Sequence, residues 1–344
     1  MKRNMKIFTA LVFVSLFFVT TSHAQNTDEV IKVDVNLVSV PVIVSDRQGR
    51  YVAGLKAEDF SVYQDGRKQT VSFFGAEEEP LNVALLLDTS KSTKDVLKQI
   101  KNSAKDFIKL LQPNDRAMIV TFDYRVTVLS PLTSDRKELE KAIKKVEIGE
   151  KVGTVMRDAV QEVVSNSFAN VKGRKAIILL TDGKDFGSYP TKEELLDTVE
   201  ENDVMIYSVF YKTRMGGNQR IIDRVLNGGI FGGGRRGRMR RFPNGGGVPP
   251  NFPPNRGGMG GEADEDAKVY LQRMSDSTAG RFYEKEVTDL KKTFELIADE
   301  LRKQYRLGFY PDELDKNADV HQLKVKVSLS DVAVRSRGTY RSRK

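Results

Sequence analysis

The feature that most constrains this chain is a series of short, nearly unbroken apolar runs, each followed by a stretch of helical periodicity. Val83-Ala84-Leu85-Leu86-Leu87 and Ala176-Ile177-Ile178-Leu179-Leu180 contain no polar residue, and residues 117–122 and 204–211 contain few. A strand facing water on one side alternates, whereas strands this apolar are covered on both faces. Helical stretches follow at 94–111, 135–146, 155–168, 191–202, 266–279 and 288–304, with an edge-like strand at 126–129 and a short one at Phe282-Tyr283. Gly280 is expected to cap the 266–279 helix in a left-handed turn. Repeated strand–helix units with buried strands predict a doubly wound α/β sheet across residues 80–304.

The two ends read differently. Val33-Asp34-Val35-Asn36-Leu37-Val38-Ser39-Val40 alternates as a half-buried strand, and Asp46-Arg47-Gln48-Gly49 is a turn. Residues 61–64 and 69–73 flank Asp65-Gly66, a hairpin signal. Strand-like stretches return at 305–310, 322–329 and 332–337. Neither end is long enough to bury a core alone. Residues 25–79 and 305–344 are therefore expected to pair into one small β-sandwich, with the α/β domain inserted between them.

The first 24 residues carry Lys2, Arg3 and Lys6, an apolar run over 7–19, and Ser22-His23-Ala24. This is the pattern of a cleaved export signal, too short to span a bilayer at about 20 residues. Export to the periplasm or the outside is expected, with no membrane-spanning segment. Cysteine is absent, so disulfides contribute nothing. Past residue 24 the only histidine is His321, which argues against Ser-His-Asp catalysis and ordinary zinc sites. The formal charge of +9 is local, because residues 214–260 hold nine Arg against Asp223 alone. With its Gly and Pro content, the whole segment 213–265 is expected to form a disordered insert.

Three polar clusters fall where such a sheet binds ligands, at the carboxyl ends of its strands. Asp88, Ser90 and Ser92 alternate after the first buried strand, Gly153-Thr154 precedes a helix, and Asp182-Gly183 follows another buried strand. Carboxylate and hydroxyl oxygens are hard ligands suited to Mg²⁺, or to Mn²⁺ or Ca²⁺. Taken singly, each cluster also reads as a helix N-cap or a turn.

Asp-x-Ser-x-Ser, a later Gly-Thr, and Thr-Asp-Gly after a second apolar strand resemble the metal-ion-dependent adhesion site (MIDAS) of von Willebrand factor type A domains. The resemblance covers roughly residues 80–304. It implies a Rossmann-like fold and Mg²⁺ held by Asp88, Ser90, Ser92, Thr154 and Asp182. It further implies a partner protein that presents a carboxylate to the ion, and no catalysis. Val152 stands where a second glycine often precedes Gly-Thr. Residues 46–60, 304–311 and 334–337 resemble an exported bacterial subfamily of these proteins, best known from Acidobacteria.

Two other readings fit parts of the sequence. Asp88 after a first strand resembles the nucleophile of Mg²⁺-dependent phosphatases, but Ser90 stands where they carry a second Asp. The Arg-rich stretch 228–260 suits anionic envelope polymers or lipid; outside the cytoplasm nucleic acid is not an expected partner.

Overall fold

The computed structural model describes residues 37–76, 79–212, 260–311 and 319–341. The expected export signal over 1–24 and strand residues 33–36 lie outside the described residues, as does the insert over 213–259.

The chain opens with β1 (Val38–Asp46), β2 (Phe60–Gln64), β3 (Arg67–Gln69) and β4 (Phe73–Ala76). It then enters the α/β part. β5 (Leu81–Asp88), α1 (Leu97–Leu110), β6 (Arg116–Phe122), β7 (Val126–Thr133), α2 (Arg136–Lys144) and α3 (Met156–Glu162) come first. β8 (Arg174–Thr181), α4 (Lys192–Glu201), β9 (Met205–Tyr211), α5 (Gly260–Ser277), β10 (Arg281–Lys285) and α6 (Leu290–Arg302) complete it. The closing strands are β11 (Tyr305–Phe309), β12 (Val320–Val327), β13 (Val332–Ser336) and β14 (Thr339–Arg341).

The expected doubly wound sheet is present, in the order β10-β9-β8-β5-β6-β7. All pairings are parallel except β6–β7, where β7 is an antiparallel edge. Leu81 through Asp88 are all buried because helices cover both faces of β5. One face packs Val83, Leu85 and Leu87 with Phe107, Phe294 and Ile297 of α1 and α6. The other packs Ala84 and Leu86 with Val160, Leu196 and Leu271 of α3, α4 and α5. Full burial of one such aliphatic side chain contributes about 1.5–3 kcal/mol. The chain leaves β5 toward β6 and returns on the other side of β5 as β8, so the crevice between their carboxyl ends is a topological switch point.

Strands from both ends form two further four-stranded sheets, β13-β1-β11-β4 and β14-β12-β2-β3. N-terminal β1 lies between C-terminal β11 and β13, and N-terminal β2 beside C-terminal β12. The two sheets share one core of Val40, Val42, Phe60, Val62, Tyr305, Leu307, Phe309 and Val325. The α/β domain is thus inserted in a small β-sandwich. His321 is buried within it, its Nδ1 2.8 Å from Asp65 Oδ2 and its ring stacked on Tyr340. Asp65 and Gly66 both take positive φ in the expected hairpin turn.

Three local expectations need correction. The first strand was expected over 33–40 with one face wet. It runs Val38–Asp46, and Val38 through Val44 are all buried. Ile43, on its second face, joins the core of the α/β domain. The insert was expected to be structureless through residue 265, yet α5 begins at Gly260. The left-handed residue after α5 is Ala279 (φ 61°), not Gly280. Gly280 is required for space instead: a Cβ there would overlap the carbonyl of Ile206 on β9.

Candidate metal site

Asp88 ends β5, and the register places it between Phe122 of β6 and Thr181 of β8. Its side chain is fully enclosed. The Ser90 amide donates to its Oδ1 at 2.9 Å, and Thr181 Oγ1 donates to its Oδ2 at 3.1 Å. The amide of Gly183 donates in turn to Thr181 Oγ1 at 2.9 Å, which fixes the direction of that hydroxyl. The Thr93 hydroxyl donates to the backbone oxygens of Asp88 and Ser90 and tightens the loop. With the loop so turned, Ser90 Oγ and Ser92 Oγ lie 3.0 Å apart. Lys91, between them, is exposed.

Asp182 follows β8 and is buried. Lys184 Nζ sits 2.8 Å from its Oδ2, and the Lys184 amide donates to Oδ1 at 3.3 Å. Gly183 takes φ 82°, and a Cβ there would press on Ala267 and the Phe210 ring, so glycine is needed twice over.

Thr154 comes from the loop before α3 and is buried. It forms an isolated antiparallel bridge with Phe186, with N–H···O distances of 2.7 and 3.4 Å, so its loop is tied to the one that carries Asp182. Asp185 fastens the same two loops, accepting from the Arg157 amide and the Ser188 hydroxyl, both at 2.9 Å. Val152 is almost fully exposed on this loop. Among the described residues, the Thr154 hydroxyl makes no hydrogen bond to the other four candidates.

The electrostatics centre on Asp88. Burial first, and then the nearby Asp182 carboxylate, push the Asp88 carboxyl up to about 7; the bonds from Ser90 and Thr181 act the other way. Two enclosed carboxylates next to one another are a place where a cation is favoured. Among the described residues no group of three or more His, Cys, Asp or Glu is arranged to hold a metal. The five candidates offer two carboxylates and three hydroxyls instead. That chemistry fits a hard divalent ion, with Asp88, Ser90, Ser92, Thr154 and Asp182 as the residues that would hold it.

Thr181, Lys184 and Tyr211 were not singled out as site residues from the sequence. Thr181 belonged to the matched Thr-Asp-Gly, and its place beside an inward strand end was the available signal. Tyr211 ends β9 and is wholly buried. Among the described residues its hydroxyl has no hydrogen-bond partner. Burial, then Asp88 and Asp182, hold that hydroxyl's pKa far above the ordinary tyrosine range.

No curated protein matches the chain. Solved structures that resemble it include an aerotolerance-related membrane protein from Bacteroides fragilis, at 15% identity over 65% of this chain and 99% of that one, TM-score 0.44. Proximal thread matrix protein 1 of the mussel byssus is similar at 16% identity over 76% of this chain, TM-score 0.46, and the match spans 50% of that protein. The vWF domain of the type V pili tip protein Mfa5 from Porphyromonas gingivalis matches at 14% identity over 64% of this chain and 94% of that one, TM-score 0.43. The family model for the von Willebrand factor type A domain matches residues 82–222. It starts within β5 and includes every loop that bears a candidate ligand: this chain contains a von Willebrand factor type A domain.

Proposed function

We propose that the protein is an exported, non-enzymatic binding module that engages an acidic residue of a partner protein through Mg²⁺. The ion would be held by Asp88, Ser90, Ser92, Thr154 and Asp182, and the partner's carboxylate would complete its shell. The observation that carries this reading is the fully enclosed Asp88, raised by burial and by Asp182, above two hydroxyls 3.0 Å apart. Positive charge on the neighbouring loops supports an acidic partner. Lys91 is exposed, and Arg125 and Lys151 both lie over the Tyr124 ring, whose Cβ would be 3.0 Å from a Cβ at Gly153. Among the described residues no helix is long and apolar enough to cross a membrane. In this reading residues 1–24 direct export to the periplasm or beyond, and residues 80–304 fold as the A domain.

The test is calorimetric titration of MgCl₂ into the chain from residue 25, beside Asp88→Ala. A folded Asp88→Ala protein that has lost the binding heat is expected. Envelope proteins retained on the immobilised chain in Mg²⁺ should be released by EDTA and missing from the Asp88→Ala column. Unchanged Mg²⁺ binding by Asp88→Ala would remove the site. Asp88-dependent turnover of phosphate esters would replace this reading with a hydrolase.

A further inference from the structure

A buried tyrosine hydroxyl ordinarily finds a partner, and one left without costs about 1–3 kcal/mol. Phenylalanine would fill the same space at 211 without that penalty, so the hydroxyl of Tyr211 needs a reason. The strand register points to one. β8 and β9 run parallel with Thr181 opposite Phe210, so the next residues along, Asp182 and Tyr211, stand side by side at the carboxyl edge of the sheet. Tyr211 belongs to the same buried core cluster as Leu87, Leu180 and Val209, the last apolar residues before the strand ends on this face. Its hydroxyl is wholly buried and, among the described residues, unpartnered. The two carboxylates that act on it are Asp88 and Asp182. Asp182 already has a cation at 2.8 Å in Lys184, while among the described residues the hydrogen bonds to Asp88 come from the neutral donors of Ser90 and Thr181. A buried hydroxyl donor on the residue beside Asp182, with no direct hydrogen bond to either carboxylate, can act through one intervening water.

We propose that Tyr211 is a positioning residue of the metal site, its phenol donating through a water to the carboxylates of Asp88 and Asp182 and orienting them toward the ion. This rests on the Mg²⁺ reading given above. Groups that hold ligating carboxylates from behind commonly change metal affinity 10–100-fold when removed. The phenol would serve the charged, metal-facing state of the pair and contribute nothing to the core that phenylalanine lacks.

The experiment compares wild type with Tyr211→Phe by Mg²⁺ calorimetry and by thermal melting in EDTA. Tyr207→Phe, two residues back on the same strand and beside Glu300 rather than the site, is the control. Tyr211→Phe should bind Mg²⁺ about 10-fold or more weakly. It should melt in EDTA at the wild-type temperature or above it. Tyr207→Phe should keep the wild-type Mg²⁺ affinity. Unchanged affinity in Tyr211→Phe overturns the proposal and leaves the metal site standing. Weaker affinity with a lower melting temperature in EDTA also overturns it, because ring packing rather than the hydroxyl was then lost. A wild-type protein that takes up no Mg²⁺ overturns both readings together.

Discussion

Replacing Asp88 with Asn should stabilise the metal-free protein at pH 8 while abolishing its response to Mg²⁺. A tenfold change in proton affinity is worth about 1.4 kcal/mol. Asp88 is raised from 3.8 to about 7, so keeping it charged in the folded, metal-free state costs on the order of a few kcal/mol. The folded state holds this proton more tightly than the unfolded state does. The wild type therefore loses stability as pH rises from about 4 toward 7, and the full penalty is present above 7. Asn is neutral throughout and retains one acceptor for the Ser90 amide. Its amide group faces Thr181 Oγ1, which already accepts from Gly183 and has a second lone pair for it. In a domain of this size each kcal/mol is about 2–4 °C. Thermal melts in EDTA should thus show Asp88→Asn several degrees above wild type at pH 8, with the gap closing below about pH 4. Adding Mg²⁺ at 100 times its Kd should raise the wild type by about 2.7 kcal/mol and leave the variant unmoved. Wild type and Asp88→Asn melting in parallel across this pH range would refute the buried-charge argument. A variant that still responds to Mg²⁺ would refute the role of Asp88 as a ligand.

Lys184→Met removes the ammonium that neutralises Asp182 at 2.8 Å, so Mg²⁺ should bind several-fold more tightly by calorimetry. Weaker binding would mean that Lys184 orders the loop rather than competing with the ion. Ser92→Ala and Thr154→Ala each delete one hydroxyl from the proposed shell and should each weaken Mg²⁺ by about tenfold, with circular dichroism unchanged. Gly280→Ala drives a methyl into the Ile206 carbonyl and should destabilise by about 3 kcal/mol or more in urea unfolding. A near-neutral result would mean that the α5–β9 contact is looser than the backbone positions imply. Mg²⁺ affinity should fall as pH drops from 8 to 6, because a proton on Asp88 competes with the ion near pH 7.

The parallel sheet was legible because its strands are buried on both faces, and that leaves an unbroken apolar signature in β5 and β8. The candidate ligands were legible for a related reason: the residue just past such a strand is at the ligand edge, whatever else the loop does. β1 was misplaced because alternation reports one dry face, and its second face is made dry by a tertiary contact through Ile43. Gly280 was recognised as necessary but for the wrong cause, since the approach of the Ile206 carbonyl has no counterpart in local sequence. Tyr211 and Lys184 share that difficulty. A tyrosine ending an apolar strand looks like core, and only the pairing of β9 with β8 brings it beside Asp182.

The sandwich attaches at the edge of the sheet opposite Asp88 and Asp182. Arg306 of β11 reaches Glu79, just before β5, at 2.6 Å, and Asp203, just before β9, at 3.0 Å. Arg174, which begins β8, donates to the backbone oxygens of Glu79 at 2.8 Å and of Leu301 at 2.9 Å. Arg341 of β14 pairs with Asp197, and Arg337 donates to the Glu200 backbone, both near the end of α4. Glu79, Arg174 and Asp203 all stand at the amino-terminal edge of the parallel sheet, opposite Asp88 and Asp182. Within the doubly wound fold, each crossover returns the chain to that edge before the next strand begins. The arginine contacts therefore join the terminal strands to the sheet at the edge away from those loops. Glu300 shows how close this junction is: it is largely buried and accepts both Arg281 of β10 and Arg335 of β13. Removing the terminal strands would leave that carboxylate with one of its two cations and would uncover the core against which Ile43 packs. The sandwich thus acts as a floor under the A domain, at the edge of the sheet opposite Asp88 and Asp182.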